Sequence, residues 1–336
     1  MMSTRQPHRS GLKNMLLRFA PCVASIFLLS HTVSAQTSVS SPNAGKPIMR
    51  STSELVIVPA SVLSPSGDPL TGLQADDFRL TDNGAEQKVF VQQGKGQALA
   101  LVIVMETGGG ASGLLQSYDG LDKIVEKAFG GADRLALVTF DSHPEEIWGF
   151  PTLVDGLYYA LTHQEGGDDG AAILDAVSCA TQLLQLQPAN FRRIVLLLSE
   201  GQDHGSEIHV EDVSPLLGKS NTTVYSLVFS PEQNVKRTHR HRSRSAFASI
   251  ANATTATSAE QLAAQSGGGS ANFSDPDGLE KQLVAFADRV DKEYILSFTP
   301  SSRQFGLHTI AVQIDKRVAA KITARKAYWL ESAPEQ

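Results

Sequence analysis

The sequence predicts an α/β fold in which a doubly wound, mostly parallel sheet is inserted into a small β-sandwich-like domain built from both flanks of the chain. Three observations predict it. Continuous apolar runs at 98–105, 134–140, 193–198 and 222–229 have the character of strands covered on both faces. Helical segments at 114–129 and 171–186 fall between them, the alternation that a parallel sheet requires. Strand-like segments lie on either side of this unit, and pairing the two flanks is the simplest way to bury them.

Composition narrows the function classes. Of 336 residues, 41% are hydrophobic and 19% charged, enough apolar material for a true core. A net charge of −6 argues against a general nucleic-acid binder. Two cysteines exclude a disulfide scaffold or a zinc-finger array.

Residues 1–35 have the pattern of an export signal. Arg5, Arg9, Lys13 and Arg18 precede an apolar run from Phe19 to Leu29, and Val33-Ser34-Ala35 is a small-residue cleavage pattern. The alternative is a retained N-terminal anchor, although the run is short and Pro21 interrupts it. Cys22 has no lipobox before it. Cleavage removes four cations and takes the net charge from −6 to −10, leaving Cys179 as a lone thiol and no stable membrane span. The mature protein is then exported: periplasmic, surface-bound or secreted.

Residues 36–53, rich in Ser, Thr, Pro and Asn, form a linker. Residues 54–95 supply the first part of the β-domain. Leu55 to Val58 leads through Pro59 to Leu63, Pro65 to Asp68 is a turn, and Asp77 to Thr81 alternates polar with apolar. Asp82-Asn83-Gly84 provides positive-φ positions for a tight turn before Lys88 to Val91. Residues 96–291 form the α/β domain. After its first strand comes a glycine-rich loop at 108–113, and a short strand lies near Ile147-Trp148. The carboxyl ends of its strands, where such sheets bind ligands, begin loops at Glu106, Asp141 and Ser199. A basic loop occupies 234–258, then come a helix around Gln261-Leu262, a Gly267-Gly268-Gly269 stop and a helix from Leu279 to Val290. Residues 292–330 return to β, with strands at 293–298, 307–314 and 321–329.

Seven blocks in order resemble one family, the von Willebrand factor A (VWA) domains, and within it the acidobacterial VWFA-related branch. They include Asp76-Asp77-Phe78 with Asp82-Asn83-Gly84-Ala85-Glu86-Gln87, Leu137 to Asp141, Gly170 to Ala176, Arg193 to Gly201, Tyr294 to Pro300 and Leu307 to Ile310. The resemblance covers most of 52–330 and implies a VWA/Rossmann-like sheet. It also implies a metal-ion-dependent adhesion site, in which an Asp-x-Ser-x-Ser loop, a Thr and an Asp hold Mg²⁺ through hard oxygens. This chain departs at each position. Glu106 stands for the first Asp, Gly108 and Gly110 for the two Ser, Ala171 for the Thr and Glu200 for the last Asp. The three hydroxyls are gone, and both remaining acids are one methylene longer. The expectation is a degenerate, metal-free adhesion face rimmed by Asp168, Asp169, Glu200 and Asp203, with no cofactor and no catalysis. Its partner would be a protein or a cell-envelope ligand. A redesigned cation site that recruits Asp168, Asp169 or Asp203 is the alternative.

Other readings compete. Gly108, Gly110 and Gly113 fit the dinucleotide fingerprint, with Asp141 as a ribose acid, but Glu106 would repel phosphate and the spacing is too long. Ser112, Ser199, Ser206, His204 and His209 are raw material for a hydrolase without a G-x-S-x-G elbow. Cys179 is expected to be a buried small hydrophobe, and Asp175 to be structural. Lys236, Arg237, Arg240, Arg242 and Arg244, with His239 and His241, form either a solvated insertion or a patch for an anionic partner. Asn221, Asn252 and Asn272 head glycosylation sequons, which carry weight only in a eukaryotic secretory context.

Overall fold

A continuous apolar strand forms the centre of the molecule. β5 (Leu99–Glu106) is buried along all eight residues, because strands pair with it on both edges and helices cover both faces. The structure is a computed structural model describing residues 55–108, 121–129, 134–150, 154–230, 256–302, 304–315 and 319–330. The export segment 1–35, the linker 36–53, Gly110, Gly113 and the basic residues Lys236 to Arg244 lie outside the described residues.

Four strands begin the chain: β1 (Val56–Leu63), β2 (Phe78–Asp82), β3 (Ala85–Gln87) and β4 (Phe90–Gln93). After β5 come α1 (Leu121–Phe129), β6 (Arg134–Phe140), β7 (Pro144–Trp148), α2 (Val154–Thr162) and α3 (Ile173–Gln185). Next are β8 (Arg192–Ser199), α4 (Val210–Ser220), β9 (Thr222–Phe229), α5 (Ser258–Ser266), β10 (Ser270–Phe273) and α6 (Pro276–Lys292). The chain closes with β11 (Tyr294–Phe298), β12 (Gly306–Ile314), β13 (Lys321–Ala324) and β14 (Ala327–Leu330).

The central sheet has the order β10-β9-β8-β5-β6-β7, parallel except for β7, which pairs antiparallel with β6 at the edge. Side chains alternate across it. Leu99, Leu101, Ile103 and Met105 pack with α1, α2 and α6, whereas Ala100, Val102 and Val104 pack with α3, α4 and α5. The strand order reverses between β5 and β8, so their carboxyl ends open a crevice at the topological switch point. This is a doubly wound, mostly parallel Rossmann-like sheet.

The flanks pair as expected. One sheet is β13-β1-β11-β4 and the other β14-β12-β2-β3, each mixing strands from both ends of the chain. Val58, Leu296 and Phe298 of the first meet Leu80, Ile310 and Tyr328 of the second. Pro59 is tolerated within β1 because β13 pairs only with Ala60–Leu63 and leaves that edge free at Pro59. Asn83 and Gly84, at φ 48° and 83°, make the β2–β3 turn.

Several elements differ from the sequence reading. Residues 321–329 are not one strand. The chain changes sheets at Arg325, whose buried guanidinium donates to Ile57 O, Asn221 Oδ1 and Thr222 O, so β13 and β14 belong to different layers. α2, α4 and β10 were not anticipated. α4 hides its pattern behind Pro215 and buries few apolar residues, chiefly Val213 and Leu217. Among the described residues no helix is long and apolar enough to cross a membrane.

Candidate functional site

The crevice is built by the loops that leave the carboxyl ends of β5, β6 and β8 together with the segment between α2 and α3. Glu106 ends β5 and is buried, with its Oε2 accepting the Glu200 N–H at 2.7 Å. Burial, reinforced by the Glu200 charge against the pull of that hydrogen bond, pushes the Glu106 carboxyl up to about 7. Burial also raises Glu200, partly offset by His204. Two acids beside each other, both above the ordinary carboxylate range, share the position where the resemblance implies two ionised ligands.

Gly108 follows on the same loop. A Cβ placed there would lie 2.4 Å from Gly170 O, 2.6 Å from Asp141 Cβ and 2.7 Å from Asp168 O. The space a serine would need is therefore filled by the neighbouring loop. Gly170 is equally hemmed in, its Cβ position 2.4 Å from Ser142 Cα. Ala171 offers no side-chain oxygen, and its backbone N–H and C=O pair with His204 at 2.9 and 2.8 Å. The side chains at Glu106, Gly108, Ala171 and Glu200 do not fit an octahedral oxygen cage.

The acids placed around this face divide by role. Asp168 is exposed, but it accepts the Ser142 and Gly170 N–H groups at 3.0 and 2.8 Å and the Ser142 hydroxyl, which hold its carboxyl below its ordinary range. Asp203 is half-buried and accepts the Leu174 N–H at 3.1 Å and the Ser206 hydroxyl at 2.6 Å, thereby capping α3 from a distant loop. Asp175 returns the interaction by accepting the Glu207 and Ile208 N–H groups at 2.9 and 3.2 Å, which accounts for its structural role. Asp169 is exposed and has no hydrogen-bond or ionic partner among the described residues.

Of the residues the enzyme readings invoke, Gly110, Ser112 and Gly113 lie outside the described residues, and the others are placed as follows. Asp141 is buried and accepts the His143 and Asp168 N–H groups at 3.2 and 3.0 Å, so it ties two loops together rather than facing a ribose. Ser206 is committed to Asp203 and Leu174, and Ser199 accepts the Gly201 N–H at 3.1 Å; neither meets a histidine. Cys179 is half-buried in α3, and burial pushes its thiol up.

One constellation escaped the sequence reading. Asp141, His143 and Glu145 bring ligand atoms within 4.8 Å of one another across the β6–β7 hairpin. The two-residue spacing Asp-x-His-x-Glu was the available signal. Burial and the facing Asp141 carboxylate raise Glu145.

The raised Glu106 gives a pH prediction. The folded chain holds this proton more tightly than a free carboxyl near 4.5, so stability falls as pH rises from about 4.5 through about 7. Glu106→Gln is expected to flatten that slope and to gain on the order of 1–2 kcal/mol at pH 8, after allowance for residual solvent contact. Urea denaturation at pH 5 and pH 8 measures it.

No family model matches the chain, and no curated protein matches it. Among solved structures, a von Willebrand factor type A protein from Catenulispora acidiphila is 10% identical with a TM-score of 0.42, covering 84% of this chain and 76% of that one. An aerotolerance-related membrane protein from Bacteroides fragilis is 14% identical with a TM-score of 0.39, covering 58% of this chain and all of that one. The PilB minor pilin of Streptococcus sanguinis is 13% identical with a TM-score of 0.40, covering 60% and 62%. Each likeness is one of fold alone.

Proposed function

We propose that the chain is an exported, non-catalytic adhesion-type protein whose carboxyl-end face recognises a protein or cell-envelope partner without a bound ion. The observation that carries this reading is the closed space at Gly108, where the neighbouring loop occupies the place of a ligand side chain. Recognition then rests on loop shape, backbone groups and exposed acids, with Asp169 the carboxylate least committed to the fold, and it favours a basic partner. The test is capture of a partner from envelope extract with and without chelator. Undiminished capture with chelator, lost on Asp169→Lys, fits the proposal. Capture abolished by chelator and restored by Mg²⁺ contradicts it.

A second reading, a cation site of different design, draws on the Asp141–His143–Glu145 constellation. Its ligands, one imidazole among them, suit a borderline transition metal such as Zn²⁺ better than Mg²⁺. Calorimetric titration with Zn²⁺ that gives saturable heat, lost on His143→Ala, supports it; absence of heat removes it.

A further inference from the structure

A cleft of about 400 Å³ lies at the opposite end of the central sheet, between the amino-terminal ends of β8 and β9 and the β1–β11 layer of the sandwich. Its walls are largely apolar, with Leu55, Ile57, Phe191 and Ile295 among them, yet Arg192 and Arg193 also line it. Leu55 is 50% exposed at this site.

The charges around the cleft do not balance. Arg192, with 7% of its side chain exposed, is paired with Glu293 at 2.9 Å. That carboxylate also faces Arg289 at 3.6 Å and accepts the Tyr225 hydroxyl, so it serves two guanidiniums at once. Arg193 donates only to the Ser220 and Gln187 carbonyls, at 2.8 Å each. Arg325 donates only to neutral oxygens, two of which, on Ile57 and Asn221, belong to residues of the cleft wall. Among the described residues no carboxylate pairs with Arg193 or Arg325. The Nε atoms of Arg192 and Arg193 are buried without an acceptor. Burial lowers the Arg193 guanidinium and pushes Arg325 down to about 10, as expected of cations held away from a counter-charge.

Buried cations are ordinarily paired, and an uncompensated one is among the costlier features a fold can carry. Arg325 is such a group, and Arg193, half-buried with its Nε lacking an acceptor, lines the cleft itself, which offers a place for the missing charge. Guanidinium suits carboxylate and phosphate equally, but the apolar walls select an anion attached to an apolar body. We infer that this cleft binds a small organic carboxylate, with its apolar portion against Ile57, Phe191 and Ile295 and its charge toward Arg193. This site is separate from the carboxyl-end face, and its assignment does not depend on the adhesion reading.

Calorimetric titration of the full chain with hexanoate tests the inference, with hexanol and inorganic phosphate as controls. Saturable hexanoate binding is expected, with hexanol and phosphate each weaker by about tenfold or more. Arg193→Met is expected to lose at least about tenfold in affinity, the scale of one charge-assisted hydrogen bond. Ala189→Trp adds bulk at an exposed wall position without touching a charge, so it blocks the cleft in a chain that stays folded. Circular dichroism verifies both variants. Failure of hexanoate to bind, equal binding of phosphate, or hexanoate binding untouched by Ala189→Trp overturns the assignment.

Discussion

Asp82→Ala is expected to destabilise the chain by about 3–5 kcal/mol, the cost of leaving one partner of a buried ion pair alone. Asp82 and His308 lie on paired strands β2 and β12 in the sandwich core, 3% and 1% exposed. Both imidazole nitrogens face oxygens: Nδ1 meets Asp82 Oδ1 at 2.7 Å and Nε2 meets Gln304 O at 2.5 Å. The doubly protonated ring donates to both, so this pocket favours the imidazolium. The Tyr328 hydroxyl donates to the other Asp82 oxygen at 2.9 Å, bringing β14 into the same network. Burial alone would lower His308, but the Gln304 carbonyl, the Asp82 hydrogen bond and the Asp82 charge together hold it above 6.5. The sign follows. Because the folded value is raised, the contribution is full below the unfolded value near 6.5 and is lost as pH climbs through the folded one. Urea denaturation should show wild-type stability declining on the alkaline side of 6.5, and Asp82→Ala should lower stability at pH 5 and make that decline shallower, leaving the share that Glu106 contributes. A variant as stable as wild type at pH 5 would contradict the ion-pair description.

Gly108→Ser, which places a hydroxyl where the resemblance implies a ligand, is expected to cost about 3 kcal/mol, the upper end of the usual overpacking range. The reason is geometric. The new Cβ would meet Gly170 O at 2.4 Å and Asp168 O at 2.7 Å, both backbone atoms that cannot swing aside as a flexible side chain would. Relief requires the 167–170 loop to move, and that loop is tied down by the Asp141 and Asp168 carboxylates. The substitution should therefore lower the melting temperature without creating a Mg²⁺ site, as calorimetry with and without Mg²⁺ would show. A variant of unchanged stability that gained Mg²⁺ affinity would mean the loops are free to reopen.

The central strands were legible because β5, β6, β8 and β9 carry apolar runs that no exposed segment could sustain. The pairing of the flanks was legible because their alternation leaves one apolar face each, and the two faces cover each other. α2 and α4 were not, since short helices that bury one narrow stripe leave little periodicity, and Pro215 masks the stripe in α4. At the site, the order of the sequence blocks located Glu106, Ala171 and Glu200 on one face. What sequence could not show is that Asp168 and Asp203 are committed to Ser142, Leu174 and Ser206, partners that only folding brings near. Nor could it show that Gly108 is a glycine because another loop lies against it. Asp141, His143 and Glu145 were overlooked because their meeting depends on the β6–β7 hairpin.

Anomalous diffraction from crystals soaked in Mn²⁺ tests the central claim most directly. The account predicts no ordered manganese between Glu106, Gly108, Ala171 and Glu200, whether or not an ion settles at Asp141, His143 and Glu145. A peak coordinated by both the Glu106 and Glu200 carboxylates would contradict it.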